Sequence, residues 1–105
     1  MNKKNLKVAI LQFGGAEFTT TLVVDGKEVK KPVMISDQIG QVLWEVANSE
    51  LSPEEKYKAF KIAQRIAANP EAVELSSEEI AMIKKMIAPV FAAGVYGQMV
   101  DALEK

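Results

Sequence analysis

The sequence contains no cysteine and no histidine. Without cysteine there are no disulfide bonds and no thiol nucleophiles, and without either residue the usual nitrogen- and sulfur-ligated zinc sites are excluded. Histidine is also the side chain used most often in general acid–base catalysis. We therefore expect a protein that is not an enzyme and that binds no metal ion and no cofactor.

An excess of charge of one sign is also missing. The chain carries 13 lysines and arginines against 14 aspartates and glutamates, which leaves a formal net charge of −1. Long-range attraction to nucleic acid or to an anionic membrane needs a positive excess. We expect neither nucleic acid nor membrane among the partners of this protein.

Long hydrophobic runs are absent too. The uncharged stretch at residues 87–100 (IAPVFAAGVYGQMV) is shorter than the roughly 18 residues that cross a bilayer. The apolar run at residues 6–11 is too short for the core of a secretory signal. These features lead us to expect a cytoplasmic protein.

The length of 105 residues suits one domain. We predict a single domain over residues 1–105 with an α+β fold, in which a small antiparallel sheet (residues 6–35) precedes three to four helices (residues 36–104). So small a core leaves a thin margin of stability, and partner chains often supply the remainder.

Strand signals dominate the first third of the chain. Residues 6–13 (LKVAILQF) predict a central strand, and residues 18–24 (FTTTLVV) predict a second strand. Asp25-Gly26 is typical of a two-residue type I′ turn, which needs positive φ at both positions. The returning strand is predicted at residues 27–30, followed by an extended piece at residues 33–35.

That turn also predicts the pairing of the two strands. Leu22 should lie opposite Val29, and Thr20 opposite Lys31. Pro32 lacks a backbone N–H, so the returning strand should be short or lie at an edge.

Helix signals fill the rest of the chain. Ser36 is the expected N-cap of a first helix of about three turns, with Ile39 and Leu43 in its apolar stripe. Ser52 and Ser76 each begin a capping box completed by a glutamate three residues later. The second helix should end near Ala68, with an apolar stripe formed by Phe60, Ala63, Ile66 and Ala67.

Residues 72–75 predict a short connector before the third helix. Pro89 must break or kink the helical pattern, since proline in a helix interior costs about 3 kcal/mol. The last helix then runs to about Leu103.

The uncharged C-terminal stretch supports two interpretations. An apolar helix must be buried on most sides, either as a central core helix or as a surface for self-association or a partner protein. The expected contact residues are Phe91, Val95, Tyr96 and Met99. Small residues at Ala93, Gly94 and Gly97 predict close packing against another backbone.

Two further features also support alternative interpretations. Trp44 lies roughly 140° from the apolar stripe of its helix, so it is either covered by the hairpin or is a contact anchor. Lys58, Lys61 and Arg65 share one face of the second helix. They form either a solvated face paired with glutamates such as Glu54, or an anion-binding stripe.

The C-terminal half, VELSSEEIAMIKKMIAPVFAAGVYGQMVDALE, resembles the end of a loose family of small phage and prophage proteins. The shared pattern is a helix with an acidic start, an I-A-x-I-K-K core, a proline, V-x-G-Q and a Leu-Glu end. The middle segment S-P-E-E-K-Y-K-A-F and the element D-G-K-E-V occur in a similar order, so the resemblance covers about residues 22–104. The chain departs from the pattern at Ala-Ala-Gly before Val95 and in its extended N-terminal strand region.

Members of this family are mostly of unknown function, so no active-site residue is carried over. The resemblance implies a phage or prophage origin, hence the cytoplasm of the host cell, and a non-enzymatic role. We expect a homo-oligomer or a protein that binds another protein, as an accessory or assembly factor or as an inhibitor of a host system. The alternatives are an oligomer that sequesters a nucleotide-like ligand and a structural component of a virion.

Overall fold

The computed structural model describes residues 2–47 and 51–105. Within them the chain has an α+β fold, as the sequence predicts. The strands are β1 (Asn2–Lys4), β2 (Thr19–Val24), β3 (Lys27–Pro32) and β4 (Val73–Leu75). The helices are α1 (Ile35–Glu45), α2 (Pro53–Ala68), α3 (Ser77–Ile87) and α4 (Ala93–Glu104). In the described parts of the chain, no helix is long and apolar enough to cross a membrane.

The β2–β3 hairpin has the predicted register. Leu22 pairs with Val29 and Thr20 with Lys31 in an antiparallel ladder. Asp25 and Gly26 have φ angles of 51° and 77°, the left-handed conformation that a type I′ turn requires at both positions. The ladder continues to Pro32, further than the predicted end of the returning strand.

The structure contains a second two-stranded sheet, which the sequence did not predict. β1 pairs antiparallel with β4, with Lys3 opposite Glu74, so residues 72–75 are more than a connector. Strands of three residues are too short to show an alternating pattern. Their pairing depends on the tertiary meeting of distant segments.

Residues 6–13 do not form the predicted central strand. The segment is extended and makes isolated bridges, at Ala9 with Met34 and at Leu11 with Glu17. At the base of the hairpin it bonds to two other segments through Ile10, instead of pairing with a single strand along its length. Only part of its apolar surface is buried, since Leu6 and Ile10 join the core whereas Leu11 and Phe13 are exposed.

Ile10, Phe18 and Val33 form a three-way junction through backbone hydrogen bonds. Ile10 N–H donates to the Val33 carbonyl oxygen at 2.9 Å, Val33 N–H to Phe18 at 2.8 Å, and Phe18 N–H to Ile10 at 2.9 Å. The three bonds close a cycle in which each residue donates once and accepts once. The hairpin ladder consequently ends at this point, and the chain turns toward α1.

The capping boxes of α2 and α3 form as predicted. Ser52 Oγ accepts from Glu55 N–H at 3.2 Å, and Ser76 Oγ accepts from Glu79 N–H at 3.1 Å. The prediction for Ser36 is wrong, because α1 begins at Ile35 and Met34 occupies the N-cap position without a side-chain cap. Ser36 is buried, and its N–H donates to the Leu6 carbonyl oxygen at 2.8 Å.

The core lies between the four helices and the N-terminal segment. Its fully buried side chains include Leu6, Ile35, Ile39, Leu43, Ile62, Val73, Leu75, Ile83, Ile87, Met99 and Leu103. On α2 the buried residues are Ala59, Ile62, Ala63 and Ile66, so Phe60 and Ala67 lie at the margins of the predicted stripe. Helix α3 ends at Ile87 and α4 starts at Ala93, which places the break at Pro89 as predicted.

Candidate functional site

The hairpin is the largest element that contributes nothing to the core. Every residue of β2 and β3 is exposed. Because successive side chains alternate and paired residues share a side, Leu22, Val24 and Val29 lie together on one side of the hairpin. We call these three residues, with the flanking Lys27 and Lys31, the hairpin face.

The opposite side of the hairpin is less apolar. It carries Thr21, Val23, Glu28 and Lys30. Val23 is 73% exposed, whereas Val29 on the hairpin face is 42% exposed. The hairpin face therefore combines three apolar side chains with two lysines and no carboxylate.

A small apolar groove of about 280 Å³ lies at the base of the hairpin. Its lining, here called the basal groove, consists of Ile10, Phe18, Val33, Gln38, Phe91 and Val95. Phe18 and Val33 follow the same alternation as Leu22 and Val29, so the hairpin face leads into the basal groove. The structure thus brings the predicted contact residues Phe91 and Val95 next to the hairpin.

Gln98 on α4 fixes the chain beside the basal groove. Its side-chain amide accepts from Leu11 N–H at 2.8 Å and donates to the Leu11 carbonyl oxygen at 2.8 Å. It also donates to the Gly94 carbonyl oxygen at 3.1 Å. The side-chain amide bonds to the Leu11 backbone as a neighbouring strand would, and it holds the segment before the hairpin against α4.

Trp44 is not covered by the hairpin. It is 60% exposed on α1, and its ring lies 5.3 Å from that of Phe60 on α2. Tyr57 continues the aromatic row at 6.2 Å from Phe60. Of the two alternatives for Trp44, cover by the hairpin is therefore wrong, because the ring packs against Phe60 of the neighbouring helix and stays exposed.

Trp44 also lines a wide groove between α1 and α2, of about 660 Å³. The groove contains two carboxylates, Asp37 and Glu45, and an apolar floor that includes Ala63 and Ile66. The described residues that line it include no lysine or arginine. This groove is separate from the hairpin face and has the opposite charge.

The predicted contact residues of α4 have different surroundings. Met99 is fully buried, so in this chain it belongs to the core, not to a surface. Tyr96 is half-buried and packs against the core. The helix is thus a core helix on one side, where Ala102 and Leu103 join Met99.

The other side of α4 is exposed at Ala93, Gly94 and Gly97. A Cβ atom added at Gly94 or Gly97 would meet nothing within 4 Å. Among the described residues, no other backbone comes close to these positions. Close packing at these positions remains a prediction for a partner chain.

An ion pair with Glu79 sets Arg65 apart from the other two residues of the basic stripe of α2 (Lys58, Lys61 and Arg65). Arg65 donates through Nη1 and Nη2 to both carboxylate oxygens of Glu79, at 2.9 and 2.6 Å, and to the Glu74 carbonyl oxygen at 3.0 Å. The hydrogen bond from Arg65 lowers the pKa of Glu79, burial opposes this shift, and the Ser76 N–H reinforces it. The same hydrogen bond raises the pKa of Arg65.

The two lysines of the stripe remain exposed. Lys61 Nζ lies 5.6 Å from the centre of the Tyr57 ring, a cation–π arrangement. Lys58 and Lys61 line a groove of about 430 Å³ together with Arg65, Glu78 and Glu79. Glutamates therefore face the lysines across this groove, and Arg65 is already occupied.

Sequence reasoning did not select the residues of the hairpin face. A signal was present, since β2 carries apolar residues on both sides (Leu22, Val23, Val24), which is unusual for a solvated hairpin. Phe13, in the turn before β2, is 99% exposed and was also missed. Exposure of this kind depends on where the helices pack and is not visible in the local pattern.

No group of three or more acidic side chains in residues 2–47 and 51–105 is arranged to hold a metal ion. Searches of protein-family models, of curated proteins and of solved structures find no significant match to this chain.

Proposed function

We propose that this chain is a small, non-enzymatic interaction protein that binds another protein through the hairpin face and the basal groove. The observation that carries the proposal is the exposed apolar side of a hairpin that supports no core of its own. Exposed apolar patches bordered by polar residues are typical of protein-binding sites.

The charges of the hairpin face indicate the chemistry of its partner. Lys27 and Lys31 flank Leu22 and Val29, and no carboxylate lies on that side of the hairpin. The matching surface is apolar at its centre and acidic at its rim, since complementary charges speed association and exclude wrong partners. A phage-derived accessory factor or inhibitor of a host protein, as the sequence resemblance implies, would act in this way.

The experiment compares two glutamate substitutions on opposite sides of the same hairpin. A photo-crosslinking residue at Val24 captures the partner in cells that produce the chain, and mass spectrometry identifies it. The purified partner is then titrated calorimetrically against the wild type, Val29→Glu and the matched control Val23→Glu. We expect Val29→Glu to weaken binding at least about tenfold, because a carboxylate is buried in an apolar contact, and Val23→Glu to change it less than about twofold.

Equal effects of the two substitutions, or no effect of Val29→Glu on a partner crosslinked at Val24, would contradict the proposal. Circular dichroism of both variants checks that the helices remain folded. Because Val23→Glu places a carboxylate opposite Glu28, protected amide hydrogens at Leu22 and Val29 must also show that both variants keep the hairpin.

A nucleotide-sequestering oligomer has less support. An anion would need the basic stripe to be free, but Arg65 is engaged by Glu79, and Glu78 lines the same groove as the lysines. A virion component has no specific support in the geometry.

A further inference from the structure

The two edges of the hairpin differ in chemistry. β2 (TTTLVV) contains no charged residue and no proline, whereas β3 (KEVKKP) contains both. Natural edge strands carry lysine or proline to prevent pairing with another chain. The β3 edge has this protection and the β2 edge lacks it.

The type I′ turn determines which backbone groups of β2 face outward. A two-residue turn makes Val24 and Lys27 a hydrogen-bonded pair, and such pairs alternate along an antiparallel ladder. The Val33 N–H bond to the Phe18 carbonyl at 2.8 Å agrees with this alternation. The N–H and C=O groups of Thr19, Thr21 and Val23 therefore point away from β3. Within the described residues, β3 is the one strand that pairs with β2.

The hairpin is also short of stabilising contacts. An isolated two-stranded hairpin is marginal in water and needs a third strand or a packed helix. All residues of β2 and β3 are exposed, so the helices do not supply that support. A strand added to β2 would satisfy the outward groups and extend the sheet.

We infer that the added strand is β2 of a second copy of this chain, paired antiparallel with Thr21 opposite Thr21 of the second copy. In this register Thr19 lies opposite Val23 of the second copy, so all the outward-facing groups of both strands are satisfied. No charges oppose each other, because β2 carries none and the lysines lie on the outer strands. The pairing obeys a two-fold axis, the commonest symmetry of homo-oligomers.

The same register places the two hairpin faces on one side of a four-stranded sheet. Thr20 lies opposite Leu22 of the second copy, and both belong to the side that carries Val24 and Val29. The dimer therefore doubles the apolar surface of the hairpin face. This inference goes beyond the proposed function, because it concerns the edge of the hairpin and the proposed function concerns its face.

A charge-exchange experiment tests the register. Sedimentation equilibrium is run on the wild type, on Thr21→Lys, on Thr21→Glu and on an equal mixture of the two variants. We expect a wild-type dimer. Each variant alone should dissociate with a Kd at least about tenfold higher, since like charges face each other, and the mixture should restore a dimer. Lys30→Glu is the matched control, because Lys30 lies opposite Thr21 on the outer edge of β3 and should leave the dimer unchanged.

A wild-type monomer at high concentration would overturn the inference, and so would a dimer that Thr21→Lys leaves intact. Large regular assemblies would also overturn it, since a two-fold contact closes at two chains. A wild-type monomer in which a different protein crosslinks at Thr21 would assign the edge to that protein. None of these outcomes decides the proposed function, which depends on Val29→Glu and the captured partner.

Discussion

At the scale of single residues, Glu79 takes part in two interactions, a helix cap that the sequence predicted and an ion pair that it did not. Its Oε1 accepts from Ser76 N–H at 2.9 Å, which completes the predicted capping box. Both of its oxygens also accept from Arg65, which joins α3 to α2. The sequence placed Glu79 in a cap and Arg65 in a basic stripe, but their pairing depends on how the two helices pack.

Glu79→Gln separates these two contributions. Glutamine can still accept the Ser76 N–H bond, but it removes the charge that pairs with Arg65. We expect a loss of about 1 kcal/mol in the free energy of unfolding at pH 7, a modest value because the Arg65 side chain is 40% exposed. Glu79→Ala should cost more, by about 1 kcal/mol, because the cap is also lost.

The same pair predicts a pH dependence. The folded pKa of Glu79 is lowered, so its contribution is complete above the unfolded pKa of about 4.3 and is lost as pH falls through the lower, folded pKa. Urea unfolding from pH 7 to pH 3 should therefore show the gap between wild type and Glu79→Gln closing in acid. A gap that stays constant over this range would contradict the role of the ion pair.

At the scale of elements, two glycines have opposite roles. Gly26 has a positive φ of 77° in the hairpin turn, a conformation that other residues adopt at a cost. Gly97 lies within α4 and has open space where a Cβ would be. The turn therefore needs its glycine, and the helix of the isolated chain does not.

Alanine substitutions at these glycines should change stability in opposite directions. Gly26→Ala should destabilise the hairpin by roughly 1–2 kcal/mol, seen as faster amide exchange at Leu22 and Val29. Gly97→Ala should raise the free energy of unfolding by about 0.5–1 kcal/mol, measured by urea denaturation at low protein concentration. If Gly97→Ala lowers the free energy of unfolding only at high protein concentration, another chain packs against this position.

Local sequence patterns were sufficient to predict some features of the helices and strands. The turn, the register of β2 with β3 and the capping boxes at Ser52 and Ser76 were predictable, because each depends on residues close in sequence. The Ser36 cap was wrong because backbone pairing with Leu6 and Val8 determines how the chain enters α1.

At the scale of the whole molecule, the hairpin and the helical core depend little on each other. The core residues come from the N-terminal segment, β4, the helices and Leu51, and none comes from residues 19–32. The cycle of bonds among Ile10, Phe18 and Val33 closes the base of the hairpin. The hairpin is held at that base, and all residues of its two strands are exposed.

Replacing residues 20–31 with a short glycine linker should therefore leave the helical core folded. We expect the helical circular dichroism signal to persist and the Tm to change by less than about 5 °C, because no buried side chain is removed. Binding to a partner captured at Val24 should be lost. Loss of helical structure on this replacement would show that the hairpin supports the core after all.

The sequence by itself determined the class of the fold, the type I′ hairpin with its register, two helix starts and the break at Pro89, since each follows from local backbone geometry or hydrogen bonding. Only the tertiary structure decided which apolar residues are exposed. It buried Met99, exposed Trp44, paired β1 with β4 and left β2 and β3 without a covering helix. The physical reason is that burial depends on which distant surfaces meet, and an apolar side chain is equally apolar in a core and on an exposed arm.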